Sequence, residues 1–156
     1  GPDAEVESVS ATGMDERDIE RLMTWPFIDF CTDGELAGTH PRGAGSFTRV
    51  LGRYVRERGA LGLEEAVRRM TSQAAANLGL PDRGRIEEGA AADLVLFDPA
   101  TVLDRATPAE PQLASIGIGT VWVNGRPVWH EGRPSGRLPG QVLRRAQEPA
   151  DRKENP

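Results

Sequence analysis

The chain has 156 residues and a formal net charge of -5 at pH 7. This length suits one domain or two small units, and it is too short for an eight-stranded α/β barrel, which needs roughly 250 residues. The negative charge argues against nucleic acid or an anionic membrane as a partner, and no apolar run approaches the roughly 20 residues of a membrane span. A single cysteine, Cys31, excludes an internal disulfide and favours a reducing compartment, so we expect a cytoplasmic protein.

Three helices are predicted from apolar residues that recur at helical spacing. They cover Asp15 to Met23, Ser46 to Arg58 and Leu63 to Leu78. Ser46 is a suitable N-cap for the second helix, and Gly79 is a suitable stop for the third.

Extended segments are predicted where the periodicity changes. The apolar run from Phe27 to Thr32 indicates a buried strand, and Ala92 to Asp98 indicates a second one. Further along, the dipeptide Asn124-Gly125 separates two apolar runs and predicts a two-residue hairpin with a type I′ turn. Pro127 lacks a backbone N–H, which predicts that the second arm of this hairpin is an edge strand.

A short polar constellation follows the first predicted strand. Asp33 stands at its exit, and His40 and Arg42 lie in the loop just beyond. In a barrel of parallel strands the strand exits carry the catalytic groups. The alternatives stay open, because Asp-Gly is common in plain turns and Arg42 could form an ordinary surface salt bridge as easily as bind a substrate carboxylate. His40, held extended before a proline, could point at a ligand or only shape the loop.

Several motifs together resemble the C-terminal third of the D-aminoacylases, the N-acyl-D-amino-acid deacylase family of the amidohydrolase superfamily. The resemblance covers about Met14 to Arg145, and the loop with the arginine-rich helix is its most specific part. The matching motifs are Cys31-Thr32-Asp33-Gly34, His40-Pro41-Arg42, Arg49 to Glu57, Met70-Thr71-Ser72, Asp82 to Ile86, Gly89 to Asp98 and Val123-Asn124-Gly125.

This resemblance implies an α/β fold, namely strand 8 and the following helices of a TIM-barrel amidohydrolase together with part of a small β-sandwich. It also implies zinc-dependent hydrolysis of a linear amide, an N-acyl amino acid. Asp33 would be the general base that takes a proton from a zinc-activated water and passes it to the leaving amine, and it would also touch the metal. His40 and Arg42 would bind the substrate.

The chain departs from the family pattern in its metal ligands. The family uses an early His-x-His pair, whereas this chain has only His40 and His130, which are far apart. We therefore expect a chain that is incomplete alone and does not bind Zn²⁺ tightly, with an N-terminal barrel segment in the same or a separate chain as its partner. The alternatives are a partner-completing half of a split enzyme and a non-catalytic α+β scaffold. The unpaired strand of an isolated piece also predicts self-association.

The predicted organisation has four parts. Residues 1–13 are interpreted as tag or linker, because Gly1-Pro2 is typical of a protease scar. Residues 14–80 would be the C-terminal part of the hydrolase barrel, 81–140 the β-sandwich part and 141–156 a charged tail.

Overall fold

The structure, a computed structural model, describes residues 13–34 and 38–144. Most of the predicted tag and most of the predicted tail lie outside these described residues. None of the helices in the described part of the chain is long and apolar enough to cross a bilayer.

The first helix, α1, spans Glu16–Met23 and confirms the first predicted helix. Asp15 precedes it in an extended conformation, and its side chain accepts a hydrogen bond from the backbone N–H of Arg17 at 2.8 Å. This cap satisfies one of the free N–H groups of the first turn, and its negative charge suits the helix dipole.

The second predicted helix begins earlier than expected and changes from an α-helix to a π-helix along its length. Helix α2 spans Arg42–Arg49 and runs into a π-helical segment, Val50–Glu57. Ser46 is therefore not the N-cap: it lies inside α2, where its Oγ donates to the Arg42 carbonyl at 2.8 Å. Pro41 occupies the position before the helix, because its fixed φ already suits a helical start.

The third predicted helix has the expected extent but is broken once. Helix α3 spans Leu63–Met70 and α4 spans Ser72–Leu78. Thr71 between them has φ -130° and ψ -90°, outside the helical region. Gly79 ends α4 in the left-handed conformation, as predicted.

Within the described residues, four antiparallel strands form one sheet in the order β1-β2-β3-β4. The predicted hairpin is confirmed, since Asn124 and Gly125 have φ values of 47° and 73°, as a type I′ turn requires. The strands are β1 Leu94–Phe97, β2 Ile118–Val123, β3 Arg126–His130 and β4 Arg133–Pro134.

The prediction that the second arm of the hairpin, β3, is an edge strand is wrong. β3 lies between β2 and β4, so β1 and β4 are the outer strands. Pro127 is tolerated because β4 pairs with β3 at Trp129 and His130, not at Pro127, whose carbonyl accepts instead from Ser135 Oγ at 2.8 Å. The missing N–H of the proline therefore removes no hydrogen bond from the sheet.

A small apolar core joins the helices to the segment that follows β1. Val102 is fully buried against the π-helical segment, whose Gly52 approaches so closely that a Cβ there would lie 2.6 Å from the Val102 carbonyl oxygen. Arg56 Nη1 donates to the same oxygen at 2.5 Å. The core residues are Met23, Val50, Leu51, Tyr54, Ala66 and Val102.

The predicted strand Phe27 to Thr32 is wrong for this structure. These residues form no strand, and the Phe27 side chain is largely exposed at 85%. The physical reason is the lack of a neighbour, because the sheet of the described residues is entirely antiparallel and lies elsewhere. The barrel part of the predicted fold therefore has no strand here, while the helices and the small antiparallel sheet are present.

Candidate functional site

Asp33 lies in a loop and has a left-handed backbone, with φ 46°. Few residues other than glycine adopt this conformation, although aspartate tolerates it better than most. It turns the carboxylate towards the start of α2, where Asp33 Oδ2 lies 3.2 Å from Arg42 Nη1. The two side chains remain 76% and 45% exposed, respectively, so both can still meet a ligand from solvent.

Arg42 also contacts His40. The backbone N–H of Arg42 donates to His40 Nδ1 at 3.1 Å. Since Nδ1 is the acceptor, the proton of a neutral ring sits on Nε2, which then acts as a donor. The structure thus brings together the three residues that the sequence singled out, with Arg42 as the link. The ion pair proposed as the alternative role of Arg42 is formed, and its partner is Asp33.

The Asp33 loop packs tightly against the first turn of α2. A Cβ on Gly34 would lie 2.5 Å from the Gly43 Cα, a distance that real side chains do not show. The backbone N–H of Gly34 also donates to Thr32 Oγ1 at 3.2 Å. Glycine at position 34 is therefore required for the close approach that places Asp33 beside Arg42.

A second set of polar residues, which sequence reasoning did not single out, holds the chain before the loop. Gln73 Nε2 donates to Asp29 Oδ1 at 2.7 Å, and Asn77 Nδ2 donates to Asp29 Oδ2 at 2.6 Å. Arg69 Nη1 donates to the carbonyls of Met23 and Trp25, each at 2.7 Å. A signal was present in the sequence, because positions 69, 73 and 77 recur every four residues and so share one face of a helix.

The described residues do not fit a zinc site by themselves. No group of three or more His, Cys, Asp or Glu side chains in the described ranges could hold a metal ion. Zinc sites take three or four protein ligands, and here Asp33 faces a cation while His40 Nδ1 already accepts a hydrogen bond. His130, the other histidine, lies on the sheet at the end of β3, where Nδ1 is 2.8 Å from Thr120 Oγ1.

Comparison with known proteins places this chain in a family. The profile of the Amidohydrolase family matches residues 28–129. N-acyl-D-glutamate deacylase of Alcaligenes xylosoxydans xylosoxydans is 52% identical over 134 residues, which are 85% of this chain and 27% of that protein. N-acyl-D-aspartate deacylase of the same organism is 48% identical over 132 residues, which are 83% of this chain and 26% of that protein.

Two solved structures share this part of the fold. N-acyl-D-glutamate deacylase from Bordetella bronchiseptica, complexed with zinc and a phosphonate mimic of the tetrahedral intermediate, matches with a TM-score of 0.77 and 51% identity over 85% of this chain and 28% of that one. A D-aminoacylase studied for its binuclear metal centre matches with a TM-score of 0.76 and 44% identity over 80% of this chain and 27% of that one.

These matches are strong in identity and limited in extent. The chain spans about a quarter of the length of the curated relatives it matches. The family profile nevertheless covers most of the chain, including Asp33, His40, Arg42, the first two strands and all but the last residue of β3. The chain belongs to the amidohydrolase family, and its relatives there are N-acyl-D-amino-acid deacylases.

Proposed function

We propose that this chain supplies the Asp33 portion of a metal-dependent N-acyl-D-amino-acid deacylase. The observation that carries the proposal is the Asp33–Arg42 pair at 3.2 Å, in a segment about 50% identical to deacylases of this specificity. The reaction is hydrolysis of a linear amide. A C–O bond forms to a water oxygen, the C–N bond breaks, and the products are a carboxylic acid and a D-amino acid.

Asp33 is the general base in this proposal. A carboxylate within hydrogen-bond reach of the attacking water can take its proton and return it to the amine that leaves. The exposed Asp33 carboxylate has room for that water, because Arg42 contacts only its Oδ2 atom among the salt bridges of the described residues. The left-handed backbone at Asp33 agrees with this role, since unusual backbone conformations often occur at functional sites.

Arg42 and His40 are the substrate-binding residues in this proposal. The Arg42 guanidinium has five N–H donors, so it can pair with Asp33 and still bind a carboxylate of the N-acyl amino acid. The Nε2 proton of His40 adds a further donor near the same helix start. A substrate carboxylate would thus be fixed beside the group that moves the proton.

The metal of the relatives is not assigned to residues of this chain alone. The described residues lack a zinc site, so we propose that the zinc ligands belong mainly to the part of the relatives that this chain does not span. A direct contact between Asp33 and that metal stays a prediction.

A chimera tests this function. The matching segment of the Alcaligenes N-acyl-D-glutamate deacylase would be replaced by this chain, and hydrolysis of N-acetyl-D-glutamate, N-acetyl-D-aspartate and their L-isomers would be measured. We expect turnover of the D-substrates and a loss of about 10²–10⁴-fold in kcat for Asp33→Asn, the range for a missing general base. Asp82→Asn, which changes an exposed carboxylate away from the loop, is the control. An active chimera that Asp33→Asn leaves unchanged would contradict the role of Asp33 and favour the scaffold alternative.

A second candidate function is the partner-completing half of a split enzyme. A cavity of about 480 Å³ lies between the helices and the sheet. Ile86, which lines it, is 90% exposed, and outer strand β1 borders it through Val95. An apolar groove beside an unpaired strand edge is suited to receiving another chain segment. The occupant we propose is the portion of an amidohydrolase that this chain does not span.

This docking is tested by mixing the chain with an Alcaligenes deacylase that lacks the matching segment. Co-sedimentation and D-specific turnover that appear only on mixing would support docking, whereas separate sedimentation would contradict it. Val95→Lys should weaken the complex, because a lysine on an edge strand opposes pairing. Val142→Lys, at an exposed position outside the groove, is the control. Light scattering of the chain alone tests the predicted self-association, which should give a mass above the monomer that falls with Val95→Lys.

A further inference from the structure

Three side chains of α3 and α4 contact the irregular segment that leads to Asp33. Arg69 holds the carbonyls of Met23 and Trp25 at 2.7 Å. Gln73 reaches further along the segment, with Nε2 at 3.1 Å from the Ile28 carbonyl oxygen. Segment 27–32 forms no strand and has no sheet hydrogen bonds, and Gln73 supplies a side-chain donor to its Ile28 carbonyl, while Arg69 supplies donors to carbonyls just before it.

Arg69 is the most buried member of this set. Its side chain is only 5% exposed, and its Nε donates to Glu65 Oε1 at 2.6 Å. Burying a guanidinium is unfavourable unless it is paired and hydrogen-bonded. The carboxylate and two carbonyls meet that requirement, so Arg69 ties α3 firmly to the end of α1 and the residues after it.

The segment before Asp33 is also held through a side chain of its own, that of Asp29. Both of its carboxylate oxygens accept hydrogen bonds, Oδ1 from Gln73 at 2.7 Å and Oδ2 from Asn77 at 2.6 Å. Amide N–H groups bound to an ionised carboxylate make hydrogen bonds stronger than neutral ones. The two contacts define the rotation of the carboxylate as well as its position.

Asp33 lies between two fixed points. The Asp29 clamp, defined as Asp29 with Gln73 and Asn77, is four residues before it, a distance of at most about 14 Å of extended chain. The close packing of Gly34 on Gly43 follows one residue after it. A short segment held at both ends has little freedom, so the position of the Asp33 carboxylate depends on both attachments.

We propose that Asp29, Gln73 and Asn77 are positioning residues for the deacylation, with Arg69 anchoring the segment behind them. The proposal rests on the proposed role of Asp33. The clamp residues touch neither substrate nor water in it. They act by holding the Asp33 carboxylate at the distance from the substrate at which proton transfer is fast, and small displacements of such a group lower kcat strongly.

A charge swap tests the clamp in the chimera described above. Asn77→Asp places a second carboxylate against Asp29 and should lower kcat at least tenfold with KM changed less than threefold. Asp29→Asn in that background restores a donor–acceptor pair with the roles exchanged, and kcat should return to within about threefold of the parent. Ala76→Asp, which adds the same charge at the neighbouring exposed position of α4, is the control and should leave kcat within twofold.

The same variants are also compared in the chain itself by amide hydrogen exchange. Asn77→Asp should speed exchange in residues 26–34 by tenfold or more without changing the sheet, and the double variant should slow it again. Unchanged exchange, or failure of the second substitution to rescue either exchange or kcat, would overturn the positioning role. A failure of the proposed function would give a different result. The chimera would be active and Asp33→Asn would leave its kcat unchanged, while amide exchange would still be faster in Asn77→Asp and slower again in the double variant.

Discussion

Segment 23–29, which leads to the Asp33 loop, and the β1–β2–β3 sheet are stabilised in opposite ways. In the sheet, neighbouring strands pair through their backbones, and the β2–β3 hairpin closes over the two residues Asn124 and Gly125. In segment 23–29, the backbone and Asp29 are held by side chains of α3 and α4 that lie 44 to 48 residues further along the chain.

This difference in hydrogen bonding makes the two regions unequally sensitive to substitution. A backbone ladder tolerates many side chains, because its hydrogen bonds do not depend on them. A segment held by a few polar side chains depends on each of them, since a lost donor leaves an acceptor without its partner, and the Met23 carbonyl is a buried one. The region that carries Asp33 is therefore the more sensitive of the two to single substitutions.

The largest stability effect should come from Arg69→Met. It removes the donor to the Met23 and Trp25 carbonyls and leaves Glu65 without its buried partner. We expect a loss of about 2–4 kcal/mol in the free energy of unfolding, measured by urea denaturation, together with faster amide exchange in residues 23–30.

Arg68→Met is the matched control for that prediction. Arg68 binds the same Glu65 but its side chain is 46% exposed, so its loss should lower the free energy of unfolding by less than about 1 kcal/mol. Equal effects of the two substitutions would mean that the burial of Arg69 adds nothing to stability. The greater sensitivity of segment 23–29 to single substitutions would then be contradicted.

A smaller effect is expected in the sheet from Gly125→Ala. Gly125 has φ 73°, and an alanine in the left-handed region costs about 1–2 kcal/mol. Denaturation should show that loss, while exchange in residues 26–34 should stay as in the parent. Gly119→Ala, in the same sheet, is the control: its Cβ would make only ordinary contacts, the nearest at 3.5 Å. Faster exchange in the loop of Gly125→Ala would mean that the two regions unfold together.

The smallest effect concerns pH and the Glu65 carboxylate. Hydrogen bonds from Arg68, and then from Arg69, lower the pKa of Glu65 from its usual 4.5 to about 2. A pKa that is lower in the folded state gives a stabilisation that is complete above the unfolded value and is lost as the pH falls towards the folded one. Thermal unfolding should therefore show Tm falling more steeply between pH 4.5 and pH 2 in the parent than in Glu65→Gln.

Glu65→Gln isolates this contribution because other lowered carboxyl groups remain in both proteins. The pKa of Glu16 is lowered by its hydrogen bond with Tyr54, and the pKa of Asp98 by the backbone N–H of Ala100. Parallel Tm profiles of the parent and the variant across this pH range would contradict the assigned Glu65 pKa.

Patterns of neighbouring residues predicted several elements correctly. The hairpin turn at Asn124-Gly125, the first helix and the end of α4 at Gly79 follow from backbone preferences that act over a few residues. The grouping of Asp33 with His40 and Arg42 was also visible, since the three lie within ten positions of one another and a short loop can bring them together.

Distant contacts decided what those patterns could not. The apolar run from Phe27 to Thr32 has the composition of a strand, yet a strand needs a neighbour for its backbone, and here Gln73 of α4 donates to the Ile28 carbonyl instead. Ser46 resembles an N-cap in sequence, but α2 begins four residues earlier, after Pro41. The sequence by itself therefore determined the local turns, most helical segments and the residues of the candidate site. The tertiary structure alone decided how the segment before Asp33 is held, because hydrogen bonds between residues more than 40 positions apart leave little trace in a local pattern.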